Sequence, residues 1–112
     1  MDDVTLVRTR IEPGQTERLR KWFAELRERE AEVLATLRHE GVYTETAFVD
    51  SSEDGDFLYY YMEAADLKEA VAAGDEEEFE IDERHHEVLA ETLTDEREEL
   101  EPIGHFVNPD RP

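Results

Sequence analysis

The sequence predicts an α+β protein of ferredoxin-like class. Four antiparallel strands carry helices on one face, in the order strand, helix, strand, strand, helix, strand (βαββαβ). Three observations lead there. Segments with a two-residue period alternate with segments of helical period, turn-forming residues punctuate the changes of period, and 112 residues suffice for one core but not two.

The first strand is Val4 to Ile11, alternating and β-branched, closed by Glu12-Pro13-Gly14, where Pro13 offers no backbone donor. From Thr16 to Glu40 the residues Leu19, Trp22, Phe23, Leu26, Val33, Leu34 and Leu37 recur three and four apart, the period of one helix with one buried stripe. Arg18, Glu25, Arg29 and Glu32 fill its other face, and Gly41 ends it. Val42 to Asp50 and Phe57 to Ala64 are aromatic or β-branched and flank the turn formers Ser51 to Asp56, so they read as a hairpin.

Asp66 is placed to cap a short helix containing Leu67, Ala70 and Val71, which ends near Gly74 before the acidic link Asp75 to Glu78. Ile81, His85, Val88, Leu89 and Leu93 then mark a second amphipathic helix, with Asp82 as its expected N-cap. Ile103 to Asn108 is expected to form the last strand. The domain thus covers residues 1–108, and residues 109–112 form a frayed tail.

Strand alternation assigns side chains to faces. Leu58, Tyr60 and Met62 lie under the helices. Leu6, Arg8, Arg10, Phe57, Tyr59, Tyr61, Ile103, His105 and Val107 point the other way. That outward set is too apolar for water, which predicts a homodimer through the open sheet face.

Charge bounds the setting. Thirty-two Asp and Glu against twelve Lys and Arg leave −20, the acids are spread along the whole chain, and only Lys21 and Lys68 are lysines. Such a surface repels itself in dilute buffer. Molar salt, with a screening length of about 3 Å, removes that cost, and the profile resembles cytosolic proteins of extreme halophiles. A polyanion would be repelled, which argues against nucleic acid. No apolar run approaches the roughly 18 residues of a membrane span, and Met1-Asp2-Asp3 is acidic where a signal peptide is basic, so a cytoplasmic location is expected. The chain has no cysteine, which removes disulfides and thiolate chemistry.

Histidine is the natural carrier of protons at neutral pH. His105, on the expected last strand, would share the outward face with Arg8, Arg10, Tyr59 and Tyr61. There the arginines could hold an anionic or hydroxylated metabolite while His105, Tyr59 and Tyr61 move a proton. The structural alternative pairs Arg8 and Arg10 with Glu45 or Glu63 across the sheet and packs the tyrosines into a dimer core. His85 and His86 are adjacent, about 100° apart on a helix, and cannot share a metal. His85 is expected at the edge of the buried stripe, hydrogen-bonded in the core, and His86 in solvent. His39 is accounted for by the helix dipole. No metal site, phosphate loop or cofactor motif is read from the chain.

The strand order, the Pro13-Gly14 turn before a long helix, the Leu37-Arg38-His39-Glu40-Gly41-Val42 helix end and the Asp50–Tyr61 hairpin resemble the dimeric α+β barrel superfamily. Within it, the chain is similar to an uncharacterised haloarchaeal domain of unknown function that shares His85-His86-Glu87-Val88-Leu89. It is more distantly similar to L-rhamnose mutarotases and antibiotic-biosynthesis-type monooxygenases. That resemblance implies a dimer and a cofactor-free isomerase-like or monooxygenase-like activity on a small polar metabolite, against a non-enzymatic ligand-binding or structural module. The mutarotases carry a histidine early in their first helix. Trp22 to Arg27 contains none, so a mutarotase role would need a substitute such as His105 or Tyr59.

Overall fold

A computed structural model describes residues 3–112. Its elements are β1 (Asp3–Ile11), α1 (Thr16–Glu28), α2 (Glu30–Glu40), β2 (Val42–Ser52), β3 (Gly55–Ala64), α3 (Leu67–Asp75), α4 (Glu80–Thr92) and β4 (Leu93–Leu100). The strands form one antiparallel sheet in the order β2-β3-β1-β4, with β2 and β4 at the edges. This is the ferredoxin-like arrangement, with each connecting helix divided or doubled.

The long first helix is two helices. Arg29 leaves helical geometry at φ −105°, ψ 36°, its N–H still donating to the carbonyls of Glu25 and Leu26. The buried stripe has a gap at that point, because no large apolar residue lies between Leu26 and Val33 to hold a straight helix against the core. The Arg29 guanidinium instead forks between Glu25 (3.1 Å) and Glu32 (2.8 Å) across the junction. Gly41, at φ 73°, closes α2 in the left-handed conformation that glycine adopts without a Cβ clash.

Asp66 caps α3 as expected, accepting from the Glu69 N–H at 3.0 Å. Asp82 does not hold the N-cap of α4. Phe79 does, and Asp82, three residues on, reaches back to accept from the Phe79 N–H at 3.2 Å.

The last strand also lies elsewhere. It is Leu93–Leu100, directly after α4, whereas Ile103–Asn108 makes no strand. The segment LTDEREEL reads as polar because β4 borders the sheet and only its ends are partly buried. Its partner β1 is bulged between Thr9 and Ile11.

Three apolar clusters fix the helices to the sheet. Leu19 packs with Ile11 and Leu58, Trp22 with Ile81 and Val88, and Val42 with Ala64 and Ala70. Each fully buried Leu or Val contributes about 1.5–3 kcal/mol. Beyond β4 the chain crosses to the open face, where the buried carboxylate of Glu63 accepts from Arg111 Nη1 at 3.1 Å and lies 3.1 Å from His105 Nε2. Arg111 is therefore tied to the sheet. Ile103 and Phe106 are 95% exposed on the same segment.

Candidate functional site

Cross-strand register sorts side chains into rows. Phe48, Tyr59, Arg8 and Glu98 form one row on the open face. Ala47, Tyr60, Val7 and Glu99 form the adjacent row on the helix side. Period-two alternation thus sends three consecutive tyrosines to two environments, and Tyr60 faces the helices with Leu58 as expected.

Between that face and the helices lies a cavity of about 530 Å³. Apolar residues such as Leu58, Met62, Leu67 and Leu89 make much of its wall, and a polar group gathers at Tyr60, His85, Glu45, Glu40 and Asp82. The central part is a hydrogen-bonded chain drawn from four elements. Trp22 Nε1–H on α1 donates to His85 Nδ1 on α4 at 2.8 Å. His85 Nε2 lies 3.2 Å from the Tyr60 hydroxyl on β3, and that hydroxyl donates to Glu45 Oε2 on β2 at 3.1 Å.

Chemistry fixes the protons. An indole nitrogen only donates, so Nδ1 of His85 is the acceptor and a neutral ring carries its proton on Nε2. Nε2–H then donates to the tyrosine oxygen, and the tyrosine proton is free for Glu45. Protonating Nδ1 would break the Trp22 bond in a buried place. Burial, then His86, accordingly pushes the His85 pKa down to about 4. Trp22 stacks on the imidazole at 6.0 Å, and Phe23 and Tyr60 meet its edge or face at 6.0 and 6.1 Å.

The acids are shifted the opposite way. Burial, with Glu45 and Asp82 nearby, raises the Glu40 carboxyl to about 7. Glu45 is also raised by burial, against the lowering effect of the Tyr60 bond. Tyr60 is held well above its usual range by burial and by Glu45, so it stays protonated. A carboxyl with a pKa near 7 in a cavity is suited to both accept and release a proton at neutral pH.

The residues expected to form a site share the open face but are engaged there differently. Arg8 Nε donates to the Tyr59 hydroxyl at 3.1 Å, and its guanidinium lies 3.6 Å over the Phe57 ring. Arg10 also covers Phe57, donates to the Asp54 carbonyl at 2.8 Å and pairs with Glu96. Pairing of either arginine with Glu45 is excluded, since Glu45 lines the cavity on the other face. Tyr61 is partly buried opposite Leu6 and Thr46.

His105 is not on a strand. Its Nε2 lies 3.1 Å from Glu63 on the sheet, and the sequence misplaced it because the apolar run Ile103–Asn108 imitates a strand. His85 lies in the core and hydrogen-bonded, as expected. His39 sits in the last turn of α2, and one of its ring nitrogens comes within 4.8 Å of exposed carboxylate oxygens of Glu76 and Glu78.

Fold and cavity together define a ferredoxin-like α+β protein with a largely apolar pocket between sheet and helices that carries one polar cluster. The chain belongs to the family of unknown function DUF6176, which it matches over residues 2–111. No curated protein matches it.

Among solved structures it is similar to an L-rhamnose mutarotase from Formosa agariphila (16% identity, 94% of this chain and 99% of that one, TM-score 0.61). It is also similar to a protein described as an antibiotic biosynthesis monooxygenase from Nitrosomonas europaea (16%, 88% and 86%, TM-score 0.58). A protein of unknown function from the same organism aligns at 17% identity over 94% and 92%, with a TM-score of 0.55. At such identities these similarities show the fold alone.

Proposed function

We propose that the protein binds a small polar metabolite in the cavity between sheet and helices and carries out cofactor-free proton transfer on it, as an isomerase does. The observation that carries this reading is the Trp22–His85–Tyr60–Glu45 chain opening onto a cavity that also holds Glu40. Glu40, with its pKa near 7, is the proton carrier. Tyr60 engages Oε2 of Glu45, leaving that carboxyl its other oxygen for a ligand. His85, neutral and locked by Trp22, holds the tyrosine in place. The cavity lies within the 300–1,000 Å³ typical of metabolite sites.

In the same proposal the open face serves assembly. Arg8, Arg10, Tyr59, Tyr61 and His105 flank a homodimer interface to which Phe48, 57% exposed, and Phe106 supply apolar surface. The −20 charge suits a salt-rich cytoplasm. The test is an NMR titration of the protein with a metabolite library in molar KCl, beside Glu40→Gln and Tyr60→Phe. Ligand shifts at Tyr60 and His85, with proton exchange on the ligand lost in Glu40→Gln, are expected. Shifts confined to Arg8, Tyr59 and His105 would move the site to the open face. Binding with no exchange would leave a sensor rather than an enzyme.

A further inference from the structure

The cavity wall is unbalanced in charge. Glu40, Glu45, Asp75, Asp82 and Glu99 face it, against Arg97 as the one arginine or lysine among its described lining residues. Glu40, Glu45 and Asp82 come from three elements, the end of α2, the middle of β2 and the first turn of α4. Glu45 is satisfied by a tyrosine and Asp82 by a backbone N–H. No described Arg, Lys or His forms an ion pair with any of the three.

Partly buried carboxylates brought together without a cation raise one another's affinity for a proton, as Glu45 and Asp82 do for Glu40. The one lysine of α3, Lys68, is not among the residues that line the cavity. Gly74, on α3, borders Glu40: a Cβ there would come to 3.0 Å from Glu40 Oε1, so the backbone of α3 passes close to this carboxylate. The rest of the nearby wall is apolar, with Leu67, Ala70 and Val71 on α3 and Met62 on β3.

We infer that the cavity selects an organic cation, a small amine whose ammonium lies among Glu40, Glu45 and Asp82 and whose body lies against Leu67, Ala70 and Val71. This rests on the cavity being the ligand site. It narrows the ligand class, because an anion would meet five carboxylates, and a neutral polyol would leave the three convergent ones uncompensated. Bound ammonium neutralises the group and returns Glu40 toward its ordinary ionised state, which also makes the carboxylate available as a base.

Two sets of probes, each with one body and three heads, test this in molar KCl: phenethylamine, 2-phenylethanol and phenylacetate, and glucosamine, glucose and glucuronate. Binding is followed by ¹H–¹⁵N shifts of Tyr60, His85 and Trp22, the last through its indole N–H. The amine of at least one set is expected to bind tenfold or more tighter than its neutral counterpart, and the anion weakest. Glu40→Gln and Glu45→Gln, nearly isosteric and checked for folding by their spectra, are expected to reduce that preference at least threefold each. A neutral or anionic member binding as well as the amine overturns the cation assignment and leaves the cavity as the ligand site. An amine preference unchanged in both variants overturns the role of these carboxylates. No shift with any of the six probes counts against both readings.

Discussion

Tyr59 and Tyr60 are neighbours in sequence and belong to different chemistries. On the open face the polar atoms pair with groups that water still reaches: Arg8 with Tyr59, Arg10 with Glu96, and Glu63 with His105 and Arg111. On the helix face Tyr60, His85 and Glu45 satisfy one another away from water, and their proton affinities move by burial. The difference teaches that one sheet can carry water-accessible pairs on one side and a polarised interior on the other, with alternation alone deciding which residue does which.

The contrast can be broken most strongly by truncating one side chain on each face of the β2–β3 hairpin. Leu58→Ala, on the helix side, should destabilise by about 2–5 kcal/mol in urea melts, whereas Phe48→Ala on the open face should change monomer stability by less than about 1 kcal/mol. If the open face is the homodimer interface proposed above, the latter variant should instead shift the oligomeric state, measured by light scattering, toward monomer. Equal losses of stability would mean the open face is core in its own right.

Trp22→Phe comes next. It keeps the ring but removes the donor to His85 Nδ1, and an unsatisfied buried acceptor costs about 1–3 kcal/mol. The His85 pKa, read by NMR, should rise from about 4, because the free Nδ1 can then take a proton. Smaller again is Glu63→Gln, which weakens the hold on His105 and Arg111 and should cost about 0.5–1.5 kcal/mol. Hydrogen exchange should quicken in residues 101–112 and stay unchanged in the cavity.

The finest test is pH. Glu40 binds its proton more tightly folded than unfolded, so its contribution favours the fold at low pH and is lost as pH rises from 4.5 through about 7. His85 binds its proton less tightly folded, so its contribution is complete above 6.5 and is lost as pH falls toward about 4. The two slopes oppose each other between pH 4.5 and 6.5. Relative to the unmodified protein, Glu40→Gln should lose stability more steeply on acidification across that window, and His85→Gln less steeply. Identical profiles would place both groups in water.

Much of this arrangement was legible in the sequence. Alternation placed Tyr60 inward and Arg8, Tyr59 and Tyr61 outward, and helical period put His85 on the buried stripe. What escaped was whatever depends on partners distant in sequence. Nothing local tells Trp22 that its indole meets a histidine 63 positions away, or tells Glu45 that burial raises its affinity for a proton. The last strand escaped for a different reason. Hydrophobic pattern reports burial, and an edge strand with charges on both faces has little of it, while the exposed Ile103–Val107 run mimics what β4 lacks.

That charged border has a consequence for the protein at high concentration, in dilute buffer or in salt. An unpaired strand edge invites a second chain to add on and, repeated, to grow a fibril. Here β4 presents Asp95, Glu96, Arg97, Glu98 and Glu99 in succession. Salt mutes the repulsion among the four carboxylates at a distance, but any chain joining the ladder would still have to strip water from these charged side chains. The penalty for recruitment is therefore one of dehydration, which dissolved ions do not screen away. The same residues that disguised this strand keep the sheet finite at four.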